Sequence, residues 1–127
     1  MKAALVVNEV TANLDANYEK VLSCIDECAQ NGAQLIVFGE AAITGLINND
    51  EPTHDFPLAS PVPGPITDTL CKRATELNVH IATGILESDG SKLYDSAILI
   101  SPPEGIVLKY RRMSPGWHGG RADPKIY

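Results

Sequence analysis

Apolar residues follow two different spacings in the first half of the chain, and each spacing predicts a different element. The runs AALVV at 3–7 and LIVF at 35–38 are typical of buried strands. Between them apolar residues recur about once per helical turn, which predicts a helix that ends at Gly32. Its stripe consists of Leu14, Tyr18, Val21, Leu22, Ile25 and Ala29. Pro65 is favoured in a first turn and begins a second predicted helix. The stripe of that helix consists of Ile66, Leu70, Ala74 and Leu77.

The second half of the chain predicts three strands in quick succession. They cover 79–86, 96–100 and 105–110, and the turn-forming stretches SDGS and PPEG separate them. Before them, a stretch rich in Asn, Asp and Pro at 47–64 predicts a loop long enough to be functional. The order strand, helix, strand, helix and then three strands predicts an α/β fold in which the first strands are parallel.

The predicted helices are too few to cover the predicted sheet. Its strands are nearly continuous apolar runs, a pattern typical of sheets that are buried on both faces. Two helices with one apolar stripe each can cover only one face. We therefore expect a homodimer or higher oligomer whose apolar interface includes the strands at 79–86 and 96–100. The alternative is cover from within the chain, by the 47–64 loop or by the segment after Arg112.

Composition and charge narrow the class of protein. The 127 residues fit one domain, and 44% of them are hydrophobic, as in ordinary globular proteins. The formal net charge is -6, and no run of Lys or Arg forms the basic surface that nucleic acid or an anionic membrane would bind. The apolar amino terminus is interrupted at Asn8 and Glu9, too early for a signal peptide, and no segment is long enough to span a membrane. We expect a cytoplasmic location.

The cysteines and histidines do not suggest a metal or cofactor site. Cys24, Cys28 and Cys71 are an odd count on predicted helices, which favours small, reduced thiols beside the core over disulfides. The histidines at 54, 80 and 118 show no spacing typical of metal ligands. The glycine-rich stretch at 115–120, PGWHGG, does not connect a strand to a helix as a phosphate-binding loop would, so we interpret it as a flexible turn. We expect no metal and no cofactor.

Glu40 is the residue that most needs an explanation. In LIVFGEAAITG it follows a buried strand almost directly. A carboxylate held near the interior costs several kcal/mol unless it is paired or hydrogen-bonded. The position therefore indicates either a satisfied structural network or a catalytic group.

Three blocks that follow one another from about residue 2 to 112 resemble the amino-terminal portion of the nitrilase superfamily, the carbon-nitrogen hydrolases. They are GAQLIVFGEAAITGL, PGPITDTLCKRATELNVHIATGILE and LYDSAILISPPEGIVLKYRR. The resemblance implies an αββα sandwich of which this chain, 1–127, covers roughly the first half. It also implies hydrolysis of a small amide, nitrile or carbamoyl compound through a Glu-Lys-Cys triad. In that mechanism Glu40 would be the general base, with its pKa raised by partial desolvation.

The chain departs from the family pattern at two positions. Arg112 stands where the family has its catalytic Lys, and a guanidinium is larger and more planar than an ammonium group. Lys109 lies three residues earlier, so on a strand its side chain is expected on the opposite face. No Cys follows Arg112, although the family nucleophile follows the Lys position. The resemblance therefore implies a Glu40 and Arg112 site without a nucleophile, and a chain that is truncated and inactive alone.

Two other functions stay open at this stage. The first is a non-catalytic nitrilase-like module for binding or assembly, which the missing nucleophile favours. The second is a nucleotide-binding domain of the Rossmann type, but NEVTANLD follows the first strand where such a domain has a glycine-rich fingerprint.

Overall fold

The computed structural model describes residues 1–45, 48–113, 123 and 125–127. Five strands form one mixed sheet in the order β1-β2-β3-β4-β5. The strands are β1 (Ala3–Val6), β2 (Leu35–Phe38), β3 (His80–Asp89), β4 (Lys92–Ser101) and β5 (Gly105–Arg111). β1, β2 and β3 are parallel, whereas β4 and β5 continue the sheet as an antiparallel meander. The predicted α/β fold with parallel first strands is confirmed.

The two predicted helices form, and each has a local reason to begin. Helix α1 (Leu14–Gln30) begins after Asn13, whose side chain accepts a hydrogen bond from the backbone N–H of Ala16. It ends two residues before Gly32, which has a φ of 79°. Helix α3 (Pro65–Leu77) has proline at its first position, as predicted, and ends at Asn78 in the left-handed conformation.

The structure differs from the sequence predictions mainly in the 47–64 segment and in the lengths of two strands. The segment predicted as a loop contains helix α2 (Pro52–Asp55) and a 3-10 turn at Phe56–Leu58. One helical turn is too short for an apolar periodicity, so the sequence pattern missed it. β3 and β4 are also longer than predicted, because a tight turn at Gly90 and Ser91 lets them pair as far as Asp89 and Lys92.

Both long helices pack on the same face of the sheet and form the core there. Its central side chains are fully buried and consist of Val21, Ile25, Ile36, Leu70, Ala74, Ile81 and Ile100. On the opposite face, Leu5 is 82% exposed, and Leu108 and Tyr110 of β5 are more than half exposed. Ala97 pairs with Tyr110 and Leu99 with Leu108 on this side. The described residues therefore leave one apolar sheet face open, which we call the open face.

Candidate functional site

Glu40 lies two residues after the end of β2, where the chain crosses above the neighbouring strand β3. A Cβ atom at Gly84 of β3 would lie 2.5 Å from both the Cα and the carbonyl carbon of Glu40, and it would overlap the carbonyl oxygen. Glycine is therefore the residue that lets the Glu40 backbone approach the strand this closely. The N–H of Gly84 also donates to the carbonyl of Gly39 at 3.3 Å. Together these contacts place Glu40 on the open face.

Two asparagines hold the turn that follows Glu40. Asn17 of α1 is 2% exposed, and its side-chain amide donates to the carbonyl of Ile43 at 2.9 Å. Its carbonyl oxygen accepts the backbone N–H of Thr11 at 2.7 Å. Asn8 donates to the carbonyl of Ala42 at 3.0 Å. Because buried backbone carbonyls need partners, these amides fix the path of the chain on the carboxyl side of Glu40.

Asp95 of β4 and Arg112, which follows β5, approach Glu40 on the open face of the sheet. The Nη1 atom of Arg112 lies 3.2 Å from Oε1 of Glu40 and 3.2 Å from Oδ2 of Asp95. The backbone N–H of Arg112 donates to the carbonyl of Asp95 at 2.8 Å, which continues the β4–β5 pairing beyond Arg111. The structure thus brings together the two residues predicted for the site, Glu40 and Arg112. Asp95 is a third member that the sequence analysis missed.

The pKa of Glu40 is raised, and a neighbouring carboxyl group is the main cause. Hydrogen bonding with Asp95 raises it most, partial burial adds to that effect, and the Arg112 guanidinium acts in the opposite direction. The side chain of Glu40 is 45% exposed. The sequence predicted a pKa raised by partial desolvation; desolvation does contribute, but the larger cause is the Asp95 carboxyl group, which the sequence analysis did not identify.

Lys109 and Arg111 point to the helix-covered face, away from Glu40. There they bind Glu87, which is 1% exposed, at 2.8 Å and 2.6 Å. Ser96 donates to the same carboxylate at 2.6 Å. Burial alone would raise the pKa of Glu87, but the hydrogen bonds from Arg111, Lys109 and Ser96 lower it to about 2. The expectation that Lys109 and Arg112 have opposite orientations agrees with these contacts.

The same network connects the sheet to the segment that precedes α3. Lys109 also donates to the carbonyl of Val62 at 3.1 Å, and Ser60 forms a bridge with Glu87. Sequence analysis missed this network, since a single Glu at the end of an apolar strand gives no sign of which cations will meet it. Glu87, a buried carboxylate paired with two cations and a hydroxyl group, is thus a satisfied structural site. It is an example of the structural network that the sequence analysis considered as one explanation for Glu40.

Asp55 is a second fully buried carboxylate that the sequence pattern missed. It accepts hydrogen bonds from the backbone N–H groups of Asn49 and Asp50, from the Tyr127 hydroxyl at 2.6 Å and from His54 at 2.7 Å. Burial would raise its pKa, but these hydrogen bonds together lower it. Asp55 thereby joins α2 to residues 125–127.

The cysteines lie on the other side of the sheet from Glu40. Cys24, Cys28 and Cys71 are free, half-buried thiols on α1 and α3 that pack against the helix-covered core. Burial is the main cause that raises the pKa of the Cys28 and Cys71 thiols, which disfavours the nucleophilic thiolate. The described residues contain no group of three or more His, Cys, Asp or Glu side chains that could hold a metal ion. The PGWHGG stretch at 115–120 lies outside the described residues.

Comparison with known proteins gives the family of the chain. Residues 2–122 match the family model described as carbon-nitrogen hydrolase. The chain is 32% identical to Nitrilase 3 of Arabidopsis thaliana, with 91% of this chain and 36% of the relative covered. It is 37% identical to the nitrilase of Pyrococcus abyssi (strain GE5 / Orsay), with 78% and 37% covered. It is 32% identical to the formamidase of Bacillus cereus (strain B4264), with 86% and 33% covered.

Solved structures share the fold at lower sequence identity. The carbon-nitrogen hydrolase from Helicobacter pylori G27 has a TM-score of 0.76 at 15% identity, over 88% of this chain and 39% of that one. An amidase from Nesterenkonia sp. has a TM-score of 0.73 at 14% identity, over 90% and 43%. The chain thus spans about a third of the length of these curated relatives and less than half of these solved chains. Within the described residues no helix is both long and apolar enough to cross a membrane.

Proposed function

The chain belongs to the carbon-nitrogen hydrolase family, and from this premise we propose that it forms part of an enzyme that hydrolyses a small amide, nitrile or carbamoyl compound. Glu40 is the general base in this proposal, and Arg112 stabilises the negative charge that develops on the substrate. The observation that carries the proposal is the convergence of Glu40 and Arg112 from distant parts of the chain to 3.2 Å on one sheet face. A raised pKa at Glu40 supports the role of a base, because a stronger proton acceptor works nearer neutral pH.

The 127 residues supply the base and the cation of this proposed mechanism, but not the nucleophile. The family mechanism needs a thiol that loses its proton to Glu40 and attacks the substrate carbon, and water then releases the acid. The three thiols of this chain lie on the helix-covered face, behind the sheet. Glu40 and Asp95 lie on the open face beside exposed apolar side chains such as Tyr110. In our proposal a second layer that covers this face also brings the nucleophile.

A second candidate function is a non-catalytic module for binding or assembly. One observation favours it: the chain has Arg112 where the family has Lys. A guanidinium distributes its charge over a plane and does not reproduce the compact ammonium group. In this candidate the open face serves as an interface, and the simplest occupant is a second copy of the chain related by a two-fold axis. We place either form of the protein in the cytoplasm.

The two candidates differ in what the gene encodes and in what the product does. The test is to sequence the coding region past codon 127, express the complete product, and measure acid and ammonia release from short aliphatic amides and nitriles. The hydrolase proposal expects a Cys codon after a further strand and turnover that disappears in Glu40→Gln. A stop codon directly after Tyr127, together with no turnover, would support the non-catalytic module.

A further inference from the structure

Asp95 occupies a position that ties it to both proposed catalytic residues. It lies in β4 opposite Leu86 of β3, on the same face as Ala97 and the exposed Tyr110. Its backbone carbonyl accepts the N–H of Arg112, and its side chain reaches Nη1 of the same residue at 3.2 Å. Because Oε1 of Glu40 lies 3.2 Å from the same Nη1 atom, the two carboxyl groups lie side by side. Three elements of the fold therefore bring two acids and one guanidinium group to a single point.

The charges of these three groups do not balance when both acids are ionised. One guanidinium nitrogen bridges the two carboxyl groups at 3.2 Å each, which is long for a charge-assisted hydrogen bond. Two carboxylates so close together repel each other, and a single cation leaves a net negative charge on the cluster. A proton held between the two acids removes the repulsion. Two carboxyl groups coupled in this way titrate as a pair.

The permanent positive charge of Arg112 makes the coupling between Glu40 and Asp95 important for the strength of Glu40 as a base. A guanidinium does not lose its charge in proteins, so Arg112 always favours the carboxylate form of Glu40 and weakens it as a base. A neighbouring carboxyl group has the opposite effect. The net result is a Glu40 pKa above its ordinary value in spite of the adjacent cation. Among the described residues, Arg112 and Asp95 are the charged groups that face Glu40 across the sheet. The strand in between, β3, presents Gly84 at this point, which carries no side chain.

We propose that Asp95 is a positioning residue that shares one proton with Glu40 and orients the Arg112 guanidinium towards both carboxyl groups. This inference deepens the proposed function and rests on it, because it explains how Glu40 remains a proton acceptor beside a permanent cation. The proton passes between the carboxyl oxygens of Glu40 and Asp95, and no bond to carbon forms or breaks. Asp95 itself touches no reacting atom in this proposal.

The test measures the pKa of Glu40 in the 127-residue chain by carbon-13 NMR titration of its carboxyl carbon, which the Glu40→Gln spectrum assigns. We expect Asp95→Asn to lower the pKa of Glu40, Arg112→Gln to raise it, and the double variant to lie between the two. Asp89→Asn is the matched control, because Asp89 pairs with Arg111 and not with Arg112. An unchanged or higher pKa of Glu40 in Asp95→Asn would overturn the proposal.

A measurement on the unchanged protein covers the case in which Asp95→Asn does not fold. The Glu40 carboxyl signal of the wild-type chain should titrate in two steps, as expected for one member of a coupled pair. A single-step curve for Glu40 would contradict a shared proton. The titration needs no substrate, so its result is separate from the hydrolysis assay. If the complete gene product showed no turnover, only the proposed hydrolase function would be contradicted. If Glu40 titrated without coupling, only the proposed role of Asp95 would be contradicted.

Discussion

The close approach of Glu40 to Gly84 gives the sharpest prediction about how the site is built. In Gly84→Ala, the added Cβ would lie 2.5 Å from two backbone carbons of Glu40, whereas ordinary contacts begin at 3.4 Å. The Glu40 backbone would have to move by about 1 Å. Because the obstacle is backbone and not a flexible side chain, the loss should reach at least the upper end of the overpacking range, about 3 kcal/mol of unfolding free energy.

The same movement should alter the electrostatics of the site. The Glu40 to Arg112 contact is already 3.2 Å, so a displacement of this size separates the groups. The pKa of Glu40 should return towards its ordinary value, because the Asp95 hydrogen bond that mainly raises it would be lost. Urea denaturation measures the first effect, and carboxyl NMR titration measures the second.

Gly39→Ala is the matched control for this experiment. It lies next to Glu40, has no neighbour within 4 Å of an added Cβ, and does not adopt a positive φ. Gly39→Ala should leave the free energy of unfolding unchanged or raise it by about 0.4–1 kcal/mol, because alanine lowers the conformational entropy of the unfolded chain. If Gly84→Ala proved as stable as Gly39→Ala with the pKa of Glu40 unchanged, the argument that Gly84 positions Glu40 would be wrong.

Four further predictions follow from the two carboxylate sites and the open face. Glu40→Gln should leave thermal stability at neutral pH unchanged or higher, because it removes the repulsion between the Glu40 and Asp95 carboxylates. A loss above about 2 kcal/mol would indicate a structural ion pair instead. Glu87→Gln should cost about 3–5 kcal/mol at pH 7 in urea melts, as when a buried pair is broken. Because the pKa of Glu87 is lowered to about 2 in the folded state, its stabilisation is present above its ordinary pKa and disappears as the pH falls towards 2, so wild type and variant should converge at acid pH; a constant difference would refute this assignment. The 127-residue chain alone should release no product from short amides and nitriles, and turnover abolished by Glu40→Gln would contradict that expectation. Size exclusion with light scattering should detect a dimer or larger species at micromolar concentration, and a cooperative monomer that binds no hydrophobic dye would show that the open face is covered within the chain.

The order of the elements was predictable because their signals are local. The apolar stripes of α1 and α3 and the strand run before Glu40 each lie within one short segment, and periodicity detects such segments directly. The single turn of α2 gave no such signal. The open face was also predictable, since two helical stripes cannot cover two sheet faces.

The partners of the carboxylates could not be predicted from periodicity, because they depend on pairing between distant strands. Glu87 meets cations 22 and 24 residues further along the chain, and Glu40 meets one that is 72 residues away. One available signal could have identified Asp95. The turn at Gly90 and Ser91 sets the pairing of Asp89 with Lys92, and alternation from there places Asp95 on the face of Ala97 and Leu99.

A single extra residue in β5 decides which of two consecutive arginines joins the site. Leu99 pairs with Leu108 but Ile100 pairs with Ile106, so Val107 is a bulge with no partner of its own in β4. Beyond the bulge, Ser96 pairs with Arg111, and the N–H of Arg112 therefore meets the Asp95 carbonyl. If the strands continued without a bulge from the pair of Ile100 and Ile106, Arg111 and not Arg112 would lie opposite Asp95.

The bulge therefore separates the two charged sites of this fold. Since side chains alternate along a strand, Arg111 reaches the buried Glu87 on the helix-covered face while Arg112 reaches Glu40 on the open face. A one-residue change in register would exchange the faces and leave Glu87 buried without this cation, at a cost of several kcal/mol. The buried network around Glu87 thus holds β5 in the register that delivers Arg112 to Glu40 and Asp95, so a structural ion pair on one face determines the composition of the candidate site on the other.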